Sequence, residues 1–177
     1  SQPFSHIHQP GIAVGGHCIP VYPKFYLSVD SEATMPAAAI KLNESMPARA
    51  AGRLSAMAGD LAGQRVAILG VAYRGGVKET AFSGAFPLRD ALIGLGAVPV
   101  AHDPLYTDDE LRSLGFEPFH FGESCAAAVV QADHVEYQTM TAADIVGALH
   151  LFDGRNIVDA SLLEGIAIRT LGAGQAS

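Results

Sequence analysis

Val66-Ala67-Ile68-Leu69-Gly70-Val71 decides the fold. An unbroken apolar run of this length suits a strand buried on both faces of a parallel sheet. It leads into Gly70-Val71-Ala72-Tyr73-Arg74-Gly75-Gly76, a glycine-rich turn of the kind that joins such a strand to a helix. Downstream, residues 84 to 95 read as helix, stopped by Gly96. Val98-Pro99-Val100-Ala101-His102 reads as the second strand, with Pro99 moving it towards a sheet edge or a strand start. Asp108 to Leu114 reads as a short helix ended by Gly115, and Ser124 to Ala127 as a helical turn. Ala128 to Ala132 reads as strand and Thr141 to Leu149 as helix, and strands over Asn156–Ala160 and Ile166–Arg169 close the sheet. This alternation predicts an α/β fold, Rossmann-like and doubly wound, with a mainly parallel sheet and helices on both faces.

Upstream, Gly59 to Arg65 is polar and bounded by glycine, which places a domain boundary between residues 1–62 and 63–177. Residues 35 to 58 read as helix, because Met35, Ala39, Ile40, Asn43, Met46, Ala50, Leu54 and Met57 recur at three- and four-residue steps. Pro36 suits a first helical turn, whereas Pro47 lacks the N–H of a helix interior and predicts a kink or break near Ser45. Ser1 to Tyr26, rich in Pro, Gly and His, reads as loop with short extended pieces.

Apolar residues make up 49% of the 177 and charged residues 16%, which allows a sizeable core and argues against disorder. There is no apolar run long enough to span a membrane and no signal-peptide pattern. The formal net charge of -7 argues against nucleic acid or an anionic membrane as a partner, while anionic small molecules need only a few local cations. Cys18 and Cys125 are far apart and form no disulfide framework, which points to free thiols in a reducing cytoplasm.

Candidate chemistry begins in Pro10-Gly11-Ile12-Ala13-Val14-Gly15-Gly16-His17-Cys18-Ile19-Pro20. Glycines let a ligand approach the backbone, and a thiol held beside His17 can serve as a nucleophile. A buried cysteine in a tight loop fits the same spacing. His6, His8, His17 and Cys18 are zinc-ligand types, but no Cys-x-x-Cys or His-x-x-x-His pair supports a metal site, and none is assigned. The turn after Leu69 is neither Gly-x-Gly-x-x-Gly nor a P-loop. Its N–H groups can face a phosphate with Arg74 or Lys78 adding charge, or it is a plain turn carrying two solvated cations.

Several stretches taken together resemble the UDP-glucose/GDP-mannose dehydrogenase family. Gly15-Gly16-His17-Cys18-Ile19-Pro20, with Phe25-Tyr26 beyond, resembles its active-site cysteine loop, in the spelling of the N-acetylglucosamine and N-acetylmannosamine branch. Asn43-Glu44-Ser45-Met46-Pro47 resembles the helix leading out of its central dimerisation domain, and Leu69-Gly70-Val71-Ala72-Tyr73-Arg74 the entry to its nucleotide-sugar-binding domain. His102-Asp103-Pro104, Asp133-His134-Val135-Glu136-Tyr137 and Phe152-Asp153-Gly154-Arg155 follow in the family's order.

The resemblance covers nearly the whole chain. It implies the end of a helical central domain followed by a UDP-binding domain, in a homodimeric cytoplasmic enzyme acting on a UDP-hexose or UDP-N-acetylhexosamine. Cys18 would capture an aldehyde as a thiohemiacetal, oxidised in turn to a thioester that water hydrolyses. Gly15, Gly16, His17, Tyr73, Arg74 and Arg155 would meet the substrate. NAD would be held mainly by an N-terminal domain not represented here, so these residues alone are expected not to reduce it. Two departures stand out. Tyr22 occupies a position where many members carry Asp, and Ala81-Phe82-Ser83 replaces Arg-Glu-Ser. The alternative is a nucleotide-sugar-binding and dimerisation module without catalysis of its own; a generic α/β domain with a structural cysteine would require the ordered motifs to be coincidence.

Overall fold

The apolar runs become the middle of a sheet. A computed structural model describes residues 10–172; His6 and His8 lie outside them. Two helices come first, α1 (Tyr22–Val29) and α2 (Thr34–Ala58). Then follow β1 (Arg65–Leu69), α3 (Ala85–Gly94), β2 (Val98–His102), α4 (Asp108–Ser113), β3 (Glu117–Pro118), β4 (Ala127–Val130), β5 (His150–Asp153) and β6 (Ala167–Thr170), with 3-10 turns at Val135–Thr139 and Ala160–Leu162. The strands form one six-stranded sheet in the order β3-β2-β1-β4-β5-β6. Every pairing is parallel. This is the doubly wound Rossmann order, with the topological switch point between β1 and β4.

Alternate residues of the central strands feed two cores. Val66, Ile68 and Val129 join Ala50, Ala51 and Leu54 of α2, Leu88 and Leu92 of α3, Leu111 of α4 and Phe116 on one face. Ala67, Leu69, Ala128 and Val130 join Phe119, Tyr137, Met140, Ile145 and Leu163 on the other. That second face is covered by 3-10 helix and turns rather than by α-helices. Pro99 sits near the start of β2, opposite Val66. β3 pairs only with Val100 and Ala101, so the N–H that Pro99 lacks costs no ladder bond on that side.

Several local expectations give way to tertiary structure. α1 occupies part of the stretch read as loop, and Pro23 stands in its first turn, where its missing N–H costs nothing. Of the kink or break expected near Ser45, the break is absent: α2 runs on through the buried Pro47. Thr141 to Leu149 is a chain of turns. The Asp144 carboxylate takes the Thr141 N–H at 2.7 Å and hydroxyl at 2.8 Å, and Val146 bridges to Ser124, which replaces the helical turn expected there. Asn156 to Ala160 is not a strand, because its first N–H groups are bound by Asp153. The strand is His150–Asp153 instead, and the two-residue β3 had no pattern to announce it.

Candidate functional site

Asp103, Asp133 and Asp153 stand at or just beyond the carboxyl ends of β2, β4 and β5, and each carboxylate shapes the loops around it. Asp103, 3% exposed, accepts the Val71 and Ala72 N–H groups at 2.8 and 3.0 Å, Leu105 N–H at 3.0 Å and the His134 ring at 3.2 Å. Burial alone would raise its pKa, but those donors outweigh burial and hold it below the ordinary value. The other ring nitrogen of His134 receives the Gly76 N–H at 3.4 Å. That assigns its Nε2–H to Asp103.

Asp133 accepts the Gly75 N–H at 2.9 Å and pairs with Arg155 Nη2 at 2.9 Å, and these contacts likewise prevail over burial to lower its pKa. The Tyr73 N–H goes to the Glu79 carbonyl at 2.9 Å. The glycine-rich turn after β1 therefore spends the N–H groups of residues 71, 72, 73, 75 and 76 inside the protein. None of these five is free to cradle a phosphate, which corrects the reading of this turn as a backbone anion site.

The switch-point crevice is filled by the chain itself. Gln131, a polar residue in an apolar run, is 1% exposed and donates to the Gly70 and Ala72 carbonyls at 3.0 and 2.8 Å. Ile12, wholly buried, lies so close over Gly154 that a Cβ there would sit 2.5 Å from its side chain. Backbone N–H groups of the turn and open space in the crevice are what a dinucleotide pyrophosphate needs, so the described residues do not fit one here.

Residues 11 to 18 cross this carboxyl edge and end at the thiol. Gly11 covers the Arg155 guanidinium. Asn43 of α2 receives the Val14 N–H on Oδ1 at 2.7 Å and donates from Nδ2 to the Val14 carbonyl at 3.0 Å, as a neighbouring strand would. A Cβ on Gly15 would stand 2.7 Å from Tyr73 Cβ and 2.8 Å from the Phe82 carbonyl oxygen, so only glycine fits. Gly16, at φ +86, donates its N–H to the Ala81 carbonyl at 2.8 Å. His17 Nε2 meets Glu79 at 3.2 Å. Cys18 is exposed, and its carbonyl accepts the Val21 and Tyr22 N–H groups at 3.1 and 3.0 Å, which starts α1.

The fold thus brings Gly15, Gly16 and His17 against the Tyr73–Phe82 segment, with Cys18 at the exposed end of the same loop. Arg74 is exposed, its guanidinium 5.8 Å from the Tyr73 ring centroid. Arg155 is largely buried, its Nε without a hydrogen-bond partner among the described residues. Among the described residues it is linked towards Arg74 through Asp133 and Gly75. Glu79 and Asn43, which hold the cysteine loop, were not singled out from sequence as site residues. Asn43 gave a faint signal, a polar side chain at an apolar-periodic position. Behind the loop, Val14, Ile19, Pro20, Pro23, Ala39 and Ile40 line a hollow of about 180 Å³. Among the described residues no three His, Cys, Asp or Glu side chains group as metal ligands.

Comparison with known proteins adds an independent line. The profile described as UDP-glucose/GDP-mannose dehydrogenase family, UDP binding domain, matches residues 67–160. A UDP-N-acetyl-D-mannosamine dehydrogenase of Pyrococcus horikoshii is 31% identical over 98% of this chain and 42% of its own length. A UDP-glucose 6-dehydrogenase of Haloferax volcanii is 32% identical over 70% of this chain and 29% of its own length. The solved structure of the Pyrococcus horikoshii UDP-D-ManNAc dehydrogenase superposes with a TM-score of 0.72 at 29% identity, over 96% of this chain and 41% of that one. The chain spans about two fifths of the length of these mannosamine dehydrogenase relatives.

Proposed function

Because the chain belongs to the UDP-glucose/GDP-mannose dehydrogenase family, with that family's UDP binding domain over residues 67–160, we propose that it is the part of a cytoplasmic nucleotide-sugar 6-dehydrogenase that holds the UDP-sugar and supplies the thiol. The observation carrying this reading is the docking of the Gly15–Cys18 loop onto the Tyr73–Phe82 segment. A nucleotide sugar lying along that segment points its hexose at Cys18. Arg74 faces the diphosphate, Tyr73 and the two glycines line its approach, and Arg155, in place of the direct contact expected of it, braces the Gly75 turn through Asp133. The planar guanidinium of Arg74 suits phosphate oxygens in its role.

The thiolate of Cys18 adds to the aldehyde carbon of the half-oxidised sugar, and the resulting thiohemiacetal keeps that carbon bound. Turning this adduct into a thioester would require a hydride acceptor, the chemistry NAD would supply; the described residues do not fit NAD, and residues beyond them would have to hold it. Water then cleaves the thioester to the acid. Tyr22 stands where a carboxylate would activate that water, and its N–H is already given to the Cys18 carbonyl at 3.0 Å. This substitution favours a second reading, a nucleotide-sugar-binding module without turnover.

Cys18→Ser in the longer protein separates the two readings. Acid formation falls by several powers of ten while UDP-sugar affinity stays near wild type, because a serine hydroxyl at neutral pH is a poor nucleophile. Equal turnover in both proteins would remove Cys18 from the chemistry. We further propose that the protein is a homodimer through the apolar face of α1 and α2. Tyr22, Phe25, Val29 and Met35 are 63, 62, 91 and 82% exposed. Val29→Asp is expected to shift sedimentation of the longer protein towards monomer, and an unchanged profile would place the interface elsewhere.

A further inference from the structure

Glu79 belongs to no motif, yet it holds the segment that precedes the thiol. Its Oε1 accepts the Thr80 and Ala81 N–H groups at 2.8 and 2.9 Å, which immobilises the carboxylate on its own turn. Its Oε2 is then directed at His17 Nε2, 3.2 Å away. The Ala81 carbonyl, in that same turn, takes the Gly16 N–H at 2.8 Å. One turn therefore grips two consecutive residues, Gly16 and His17, immediately before the exposed Cys18. The Glu79 carbonyl also receives the Tyr73 N–H at 2.9 Å, so the grip is continuous with the loop that carries Arg74.

We propose that Glu79 is a positioning residue that, through His17, fixes the Cys18 loop on the Tyr73–Arg74 loop and so sets where the thiol stands relative to a nucleotide sugar. This rests on the reading of the loop as a thiol site. The pair is solvent-exposed, with His17 and Glu79 side chains 72 and 41% accessible. An exposed side-chain pair of this kind adds little to global stability. Its effect is accordingly local, and it is read at the thiol rather than in the melting temperature.

The test is the rate at which iodoacetamide alkylates each cysteine of the 177-residue chain, read by peptide mass. Cys125 is buried, its thiol pushed up to about 11 by burial, and it reports any loosening of the whole fold. Glu79→Ala is expected to change the Cys18 rate several-fold while Cys125 stays unlabelled. His17→Ala should give the same change, with the double variant adding nothing, since both remove one interaction. Glu79→Gln should restore the wild-type rate, because its amide oxygen serves the Thr80 and Ala81 N–H groups while its NH2 donates to the other His17 tautomer. An unchanged Cys18 rate in Glu79→Ala overturns the proposal. So does labelling of Cys125 in that variant, which would make Glu79 a support of the fold. Alkylation does not require Cys18 to be catalytic, so failure here is distinct from near-normal turnover in Cys18→Ser.

Discussion

At Asp153 one carboxylate, 1% exposed, receives the N–H groups of Arg155, Asn156, Ile157 and Val158 at 2.8 to 3.1 Å. A side chain that satisfies four donors specifies a turn more strongly than any local propensity. Asp153→Ala leaves those donors to water or to nothing, and we expect it to cost about 3 kcal/mol, measured by denaturant unfolding. Asp103 makes a different prediction, because, against the effect of burial, the His134 ring and backbone N–H groups hold its pKa below the ordinary aspartate value in the fold. A depressed carboxylate contributes stability that is present above the unfolded value and is lost as pH falls through the folded one. Asp103→Asn should therefore be less stable at neutral pH and show a flatter loss of stability below about pH 4. Parallel acid curves for the two proteins would show that the His134 and backbone contacts do not stabilise the charge.

Among the elements, α2 has two roles divided near Pro47. Its last turns bury Ala50, Ala51 and Leu54 against the sheet, while Asn43 holds the cysteine loop at Val14. Asn43→Ala removes both bonds to Val14 and is expected to cost about 1–2 kcal/mol. Faster hydrogen exchange should be confined to the loop, with the amides of β1 and β4 unchanged, because they lie inside the two cores. β1, β2, α3 and α4 were legible in the sequence because each announces itself locally, by an apolar run or a periodic face with glycine at the stop. His150–Asp153 and the turns from Thr141 to Leu149 were not, because the Asp144 and Asp153 carboxylates turn the chain through nearby N–H groups that no apolar period announces, and the Ser124–Val146 bridge joins distant segments. The site divides the same way. Gly15, Gly16, Cys18 and Tyr73 stand in short quotable motifs, whereas Glu79 acquires its role only when residue 17 is folded onto it, 62 positions away.

In the molecule as a whole, the strand order promises a nucleotide crevice that the side chains then close. A Rossmann sheet ordinarily offers a pyrophosphate the free N–H groups of the first turn at the switch point. Here Asp103, Asp133 and His134 take those groups, and Ile12 and Gln131 occupy the crevice. On the proposed reading a diphosphate is met from outside the edge by side-chain cations, the role proposed for Arg74, which is exposed beside Tyr73. We expect the 177-residue chain to bind UDP weakly in calorimetry and NAD not at all, and to produce no NADH from NAD and a UDP-sugar. UDP affinity should weaken with salt, since an exposed ion contact is screened within about 10 Å at 0.1 M. Arg74→Ala should lower it about tenfold, the ordinary loss for one charge-assisted contact to phosphate. UDP binding that is indifferent to both salt and Arg74 would return the phosphate to the backbone of the turn. It would require Asp103 or Asp133 to release its N–H partners on binding, a rearrangement that the amide shifts of Val71 and Gly75 would report directly.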